Sequence, residues 1–164
     1  MSITVTKRNG KKEDLNLEKL HKVVFWATEG ITGVSASEVE IKSHIQFYNG
    51  ITTKDIQETL IKATADLITE ETPNYQFVAG RLINYGLRKE VYRQFDPCHI
   101  YEIVVKNVNN GFYDPELLHT YTEGEWNYIN NFIKHTRDED FTYVAMEQFR
   151  GKYLVQNRVT KEIF

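Results

Sequence analysis

Residues 3–20 read "ITVTKRNGKKEDLNLEKL", and their alternation sets the start of the fold. In a strand, side chains alternate between faces, so Ile3, Val5 and Lys7 share one face while Thr4, Thr6 and Arg8 share the other. Asn9-Gly10 suits the positive φ of a two-residue turn, which predicts a hairpin of residues 3–8 and 11–15. Asn16 then stands as an N-cap. The helix it opens is expected from about 17 to 30, with Leu17, Leu20, Val24 and Ala27 on one stripe and Gly30 as its stop. One residue disagrees with this simple amphipathic plan: the apolar strand face carries Lys7.

Helical periodicity continues outward from that start. Ser37 and Glu40 form a capping-box pattern for a second helix to about residue 47. "NGITT" (49–53) breaks the chain, and Thr52 or Thr53 caps a third helix with Ile56, Leu60, Ala63 and Leu67 at helical spacing. Thr72-Pro73 opens a fourth, expected to reach about residue 93. "FDPCH" (95–99) interrupts the pattern and marks an expected boundary between units 1–94 and 95–164. Short, well-punctuated helices come next. Ile100, Ile103, Val104 and Val108 form a stripe closed by Gly111, and Asp114-Pro115 opens a short piece. Thr122 and Glu125 make a capping box, and Asp140 can cap a last helix containing Tyr143, Val144 and Met146. "KYLVQNRVTKEIF" (152–164) reads as a strand, a turn and the start of a second strand. The fold class is therefore mainly α (α+β), a β-hairpin with four helices and then a helical segment ending in a short hairpin.

At 164 residues the chain can bury a real core, and its 13% aromatic content argues against disorder. No apolar run approaches the ~20 residues of a membrane span and no signal peptide is visible, so a cytoplasmic location is expected. Net charge is −3, unevenly spread: residues 1–24 hold six Lys/Arg against three acids, leaving −6 for the rest. That distribution disfavours general nucleic-acid binding and suits a small anion at the N-terminal end.

Lys7 has a counterpart. On the fourth helix the apolar stripe Tyr75, Val78, Leu82, Tyr85 continues in register to Lys89. A buried unpaired ammonium costs several kcal/mol. Either both lysines snorkel outward or they converge on an anion. The start of the third helix at Thr53, with free N–H groups, a hydroxyl and the positive dipole end, offers a place for phosphate. No Walker loop or GxGxxG is present.

The segments "VTKRNGKKEDLNLEKLHKV", "HIQFYNGITTKDI", "IKATADLI", "YQFVAGRL" and "LRKEVYRQF" together resemble the ATP-cone, a nucleotide-sensing domain of a β-hairpin and four helices. "GFYDPELL", "YTEGEW" and "HTRDEDFTYVAMEQFRGKYLVQNRVTKEIF" resemble the segment after the cone in class Ia ribonucleotide reductase large subunits of bacterial and T-even-type phage form. The resemblance implies an overall-activity site for ATP or dATP, with Mg²⁺, and carries over residue by residue. Lys7 corresponds to the nucleotide-contacting lysine of the first strand. Glu13, Asp14, Leu15, Asn16, Leu17, Glu18 and Lys19 correspond to the segment wrapping base, ribose and phosphates. Thr53 corresponds to the helix-start threonine and Lys89 to a phosphate-binding lysine. Gln57 stands where many cellular enzymes have histidine, which keeps hydrogen bonding and loses the imidazole charge.

The resemblance also implies that the reductase's radical and electron-donating cysteines lie on the remainder of the large subunit, in the same or a separate polypeptide. Cys98 is the one cysteine here and matches none of those roles. Implied partners are that remainder, the small radical-bearing subunit, and self-association through exposed apolar groups; no catalytic cofactor, nucleic acid or membrane is implied. The five histidines (21, 44, 99, 119, 135) lack HxxxH spacing, so a protein metal site is not expected. The acidic run 138–140 reads as a solvated turn, and Trp126, Tyr128, Phe132, Tyr143 and Phe149 as core or interface. Two alternatives stay open: a helical subunit-interaction module with a degenerate, empty cone, and a cone-based DNA-binding repressor, which would need a cysteine-rich zinc ribbon.

Overall fold

The computed structural model describes residues 3–164. Strands β1 (Thr4–Thr6) and β2 (Lys12–Asp14) form the expected antiparallel hairpin, with Val5 opposite Glu13. Its turn is one residue longer than the sequence implied. Lys7 N–H donates to Lys11 O at 2.8 Å and Gly10 N–H to Lys7 O at 2.9 Å, closing a three-residue loop from Arg8 to Gly10. A two-residue type I′ turn needs positive φ at both central positions, and here Gly10 (φ +79°) has it while Asn9 does not. The connection is instead a type I turn ended by a left-handed glycine. This register leaves Lys7 diagonal to Glu13 on one face, within reach of long side chains.

A third strand was not legible. β3 (Ile51–Thr52) runs parallel to β1, pairing Val5 with Ile51 and Thr6 with Thr52, in the order β2-β1-β3. Two residues carry no periodic signal; the strand exists because Gly50 (φ +87°) turns the chain and donates its N–H to Thr4 O at 2.8 Å.

Helix α1 (Leu17–Thr28) is capped by Asn16, whose Oδ1 accepts from Lys19 N–H at 2.9 Å, and it stops ahead of Gly30 at φ +72°. Leu20, Val24 and Ala27 are buried, whereas Leu17 is 55% exposed. α2 (Ala36–His44) is capped by Ser35 rather than Ser37, and ends short of residue 47. α3 (Thr53–Ala65) is capped by Thr52. α4 (Tyr75–Val91) begins two residues beyond Pro73, after Asn74. α5 (Ile100–Asn109), α6 (Leu117–Thr120) and α7 (Glu123–Phe132) come next, with the Thr122–Glu125 capping box in place. A 3₁₀ turn (His135–Asp140) leads to α8 (Tyr143–Gln148), capped by Thr142 rather than Asp140, because Thr142 Oγ1 is the acceptor that reaches Ala145 N–H. A π-helical turn (Phe149–Tyr153) takes up the start of the expected strand, and the closing hairpin is one antiparallel bridge, Gln156 to Ile163.

α4 is the centre of the packing. Tyr75, Val78, Leu82 and Ile83 meet Val24, Val39, Ile51, Leu60 and Ile61 in one core, which Met146 of α8 also enters. Tyr75 is fully buried; its hydroxyl accepts from Ser35 N–H at 2.9 Å and donates to the Glu38 carboxylate. Gly80 lets the chain before α8 cross α4 closely: a Cβ there would stand 2.1 Å from Phe141 O. Among the described residues no helix is long and apolar enough to cross a membrane.

Candidate functional site

The parallel pairing of β1 with β3 assembles the site. One residue beyond the paired Thr6 and Thr52 stand Lys7 and Thr53, so a strand end and a helix start lie side by side. The C-terminal half of α4 forms the next wall. Gln57 Nε2 donates to Leu82 O at 2.7 Å, and Gly86 leaves room for the Gln57 side chain, whose Cγ a Cβ at residue 86 would meet at 3.2 Å. Arg8 fastens the hairpin loop to the same helix, Nη1 donating to Lys89 O at 2.6 Å. These elements enclose a cleft of about 610 Å³, within the ~300–1,000 Å³ of small-molecule sites.

Lys7, Glu13, Lys19, Thr53, Gln57 and Lys89 all line this cleft. The intervening residues are used elsewhere. Asp14 pairs with Thr4 in the hairpin, Leu15 packs on the core, and Asn16 is the helix cap. Leu17 and Glu18 line a separate groove between α1 and α2. The cleft also takes in Arg8, Asn9, Tyr85, Gly86 and Arg93, which the sequence reading did not select. Tyr85 and Gly86 precede Lys89 by four and three positions, a helical spacing that could have flagged them. Arg8 and Asn9 depend on the three-residue turn, and Arg93 lies past the end of α4, so periodicity could not place them.

The lysine on the apolar strand face is explained by its partner. Lys7 Nζ lies 2.6 Å from Glu13 Oε2, with both side chains about one-third exposed at the rim of the cleft. That hydrogen bond holds the Glu13 carboxyl below the ordinary carboxylate range; desolvation opposes it, and the charges of Lys7, Lys19 and Lys11 add to the lowering. Lys89 Nζ lies 5.6 Å from the Tyr85 ring centroid, a cation–π placement. Burial pushes the Tyr85 phenol up, so it stays neutral, and Trp26 and Phe95 back its ring at 6.1 and 5.6 Å. At the start of α3, Thr52 Oγ1 accepts from Asp55 N–H at 3.0 Å and donates to Asp55 Oδ2 at 2.8 Å. The N–H groups of Thr53 and Lys54 remain as first-turn donors without intrahelical partners, at the positive end of the helix. Cations and directed N–H donors around one cleft are the chemistry of a polyphosphate site.

The ATP cone domain profile matches residues 3–90. This chain belongs to the ATP-cone family. Its cone and the helices after it are also similar to longer proteins. The chain is 54% identical over 163 residues to the ribonucleoside-diphosphate reductase 1 subunit alpha of Escherichia coli (strain K12), covering 99% of this chain and 21% of that protein. The reductase subunit alpha of Haemophilus influenzae is 53% identical over 163 residues, with 99% and 22% covered. That of Enterobacteria phage T4 is 42% identical over 164 residues, with 99% and 21% covered. The matched part is the N-terminal region of these subunits, so the chain spans about a fifth of the length of the curated relatives it matches.

Among the described residues no group of three or more His, Cys, Asp or Glu could hold a metal ion. Cys98 is half-buried, and burial pushes its thiol up, away from the reactive thiolate.

Proposed function

We propose that this chain is the regulatory N-terminal part of a ribonucleoside-diphosphate reductase large subunit. Its cone binds ATP or dATP as the overall-activity effector and so controls deoxyribonucleotide synthesis for DNA replication in the cytoplasm. The observation that carries this reading is the convergence of Lys7, Thr53 and Lys89, from a strand and two helices, on one cleft. In this reading Lys89, Thr53 and the first-turn N–H groups of α3 take the phosphates, and Lys7 exchanges its bond to Glu13 for one to the nucleotide. Mg²⁺ travels with the triphosphate, since the cleft supplies cations and few free carboxylates.

Regulation depends on where the ligand sits. A bound effector acts only through contacts that differ between two states. Here it would grip β1, α3 and α4 together, the elements that share the core, and thereby set the outer surface offered to the remainder of the large subunit, to the small radical-bearing subunit or to a second copy. The competing reading is an interaction module with an empty cone, favoured by the fact that Glu13 already neutralises Lys7. Thermal unfolding with and without Mg-ATP separates the two. At a free concentration of about 100 Kd, binding adds about 2.7 kcal/mol, which for a chain of this size raises Tm by roughly 5–10 °C. A Tm unmoved by millimolar ATP and dATP would establish the empty cone.

A further inference from the structure

Arg93 stands at the position after the C-cap of α4, with φ +63°. Glycine is the favoured residue there, because any Cβ is strained in the left-handed region. Residues other than glycine adopt such a φ at just one other described position, Lys161. Strain of this kind persists where a side chain is needed at that spot. The fold supplies a reason. Arg93 lines the nucleotide cleft and also a neighbouring hollow of about 260 Å³, so it stands where the two meet, beside Arg8, Gln57 and Gly86.

Its guanidinium is also unpaired among the described residues, as are the ammonium groups of Lys19, Lys54 and Lys89, whereas the other cations around it are held. Lys7 is paired with Glu13, Arg8 is bonded to Lys89 O, and Arg150 across the hollow is held by Glu58 at 2.6 Å and Glu147 at 2.8 Å. Glu90 and Glu162 line the hollow, yet Arg93 makes no ion pair or side-chain hydrogen bond among the described residues. A guanidinium left free at the mouth of a cationic cleft is a ready bidentate partner for phosphate.

We infer that Arg93 is a further phosphate-binding residue of this cone, closing over the polyphosphate from the end of α4 while Lys89 holds it from within the helix. This inference rests on the nucleotide reading above. The discriminating variant is Arg93→Gly, which relieves the backbone strain and removes the guanidinium together. Calorimetric titration with Mg-ATP, and with inorganic tripolyphosphate as a ligand without base or sugar, should show affinity falling about tenfold for both. The unfolding midpoint of the variant should stay equal to or rise above that of the wild-type chain, and Arg93→Lys should recover most of the affinity. Wild-type affinity in Arg93→Gly would overturn the inference and leave the nucleotide site standing. A lower unfolding midpoint with unchanged affinity would make Arg93 a helix-end charge and nothing more. A wild-type chain that binds neither ligand would overturn the nucleotide reading itself, and this inference with it.

Discussion

Gly80→Ala puts a methyl group where α4 and the segment before α8 touch. The added Cβ would lie 2.1 Å from Phe141 O and 3.1 Å from both Phe141 C and Thr142 C. The obstacle is backbone, so no rotamer change relieves it; the chain at 141–142 has to retreat by about 1 Å, and overpacking of this kind costs about 1–3 kcal/mol. Two terms compete. Alanine is favoured over glycine inside a helix by about 1 kcal/mol. The retreat also loosens Met146, which is buried, and the partly buried Tyr143 and Phe149 that pack on the same core. The clash wins, because a 2.1 Å contact with backbone lies at the costly end of that range, and the net loss should reach about 2 kcal/mol, or roughly 4–8 °C in Tm for a chain of this length. Urea and thermal unfolding followed by circular dichroism would measure it, and hydrogen exchange should show amides of residues 141–153 opening first. A Gly80→Ala chain more stable than the wild type by the helix-propensity gain would refute the close crossing and, with it, the packing of the later helices on the cone.

Tyr75→Phe leaves Ser35 N–H and the Glu38 carboxylate without their shared hydroxyl partner, and should cost about 1–2 kcal/mol in a denaturant titration; an unchanged midpoint would show that water replaces it freely. Glu13 has its pKa lowered on folding by Lys7, so its contribution is present above the ordinary value of 4.5 and is lost as pH falls through the lowered one. The unfolding midpoint of Glu13→Gln should therefore decline less than that of the wild type between pH 5 and the acid limit (about pH 2); parallel declines would show that the pair contributes nothing to stability. The chain alone, with its single cysteine, should reduce no ribonucleotide even beside a competent small subunit. Turnover that survives Cys98→Ser would contradict that expectation.

Much of this architecture was legible because it is local. Asn16, Thr52 and the Thr122–Glu125 box are caps whose side chains bond backbone three residues away, and sequence spacing reports such bonds directly. The same logic misplaced the caps of α2 and α8, where two hydroxyl or carboxyl residues compete within a few positions and only the backbone's path selects Ser35 and Thr142. β3 was not legible, since two residues held by pairing with a strand some 45 positions away have no period of their own. The site divides similarly. Lys89 announced itself by sitting in register with a buried stripe, and Lys7 by breaking one. Arg8 and Arg93 reach the cleft through a turn register and a helix-end conformation, which are set by tertiary structure.

Whether Lys7, Thr53 and Lys89 form a working nucleotide site is decided by calorimetric titration of Mg-ATP into the wild-type chain and into Lys89→Ala. Saturable binding is expected for the wild type, with a loss of about 1.5–3 kcal/mol in the variant, roughly 10- to 150-fold in Kd, the range for a hydrogen bond to a charged group. No binding by the wild type at millimolar ATP, or equal affinity in Lys89→Ala, would contradict the nucleotide site.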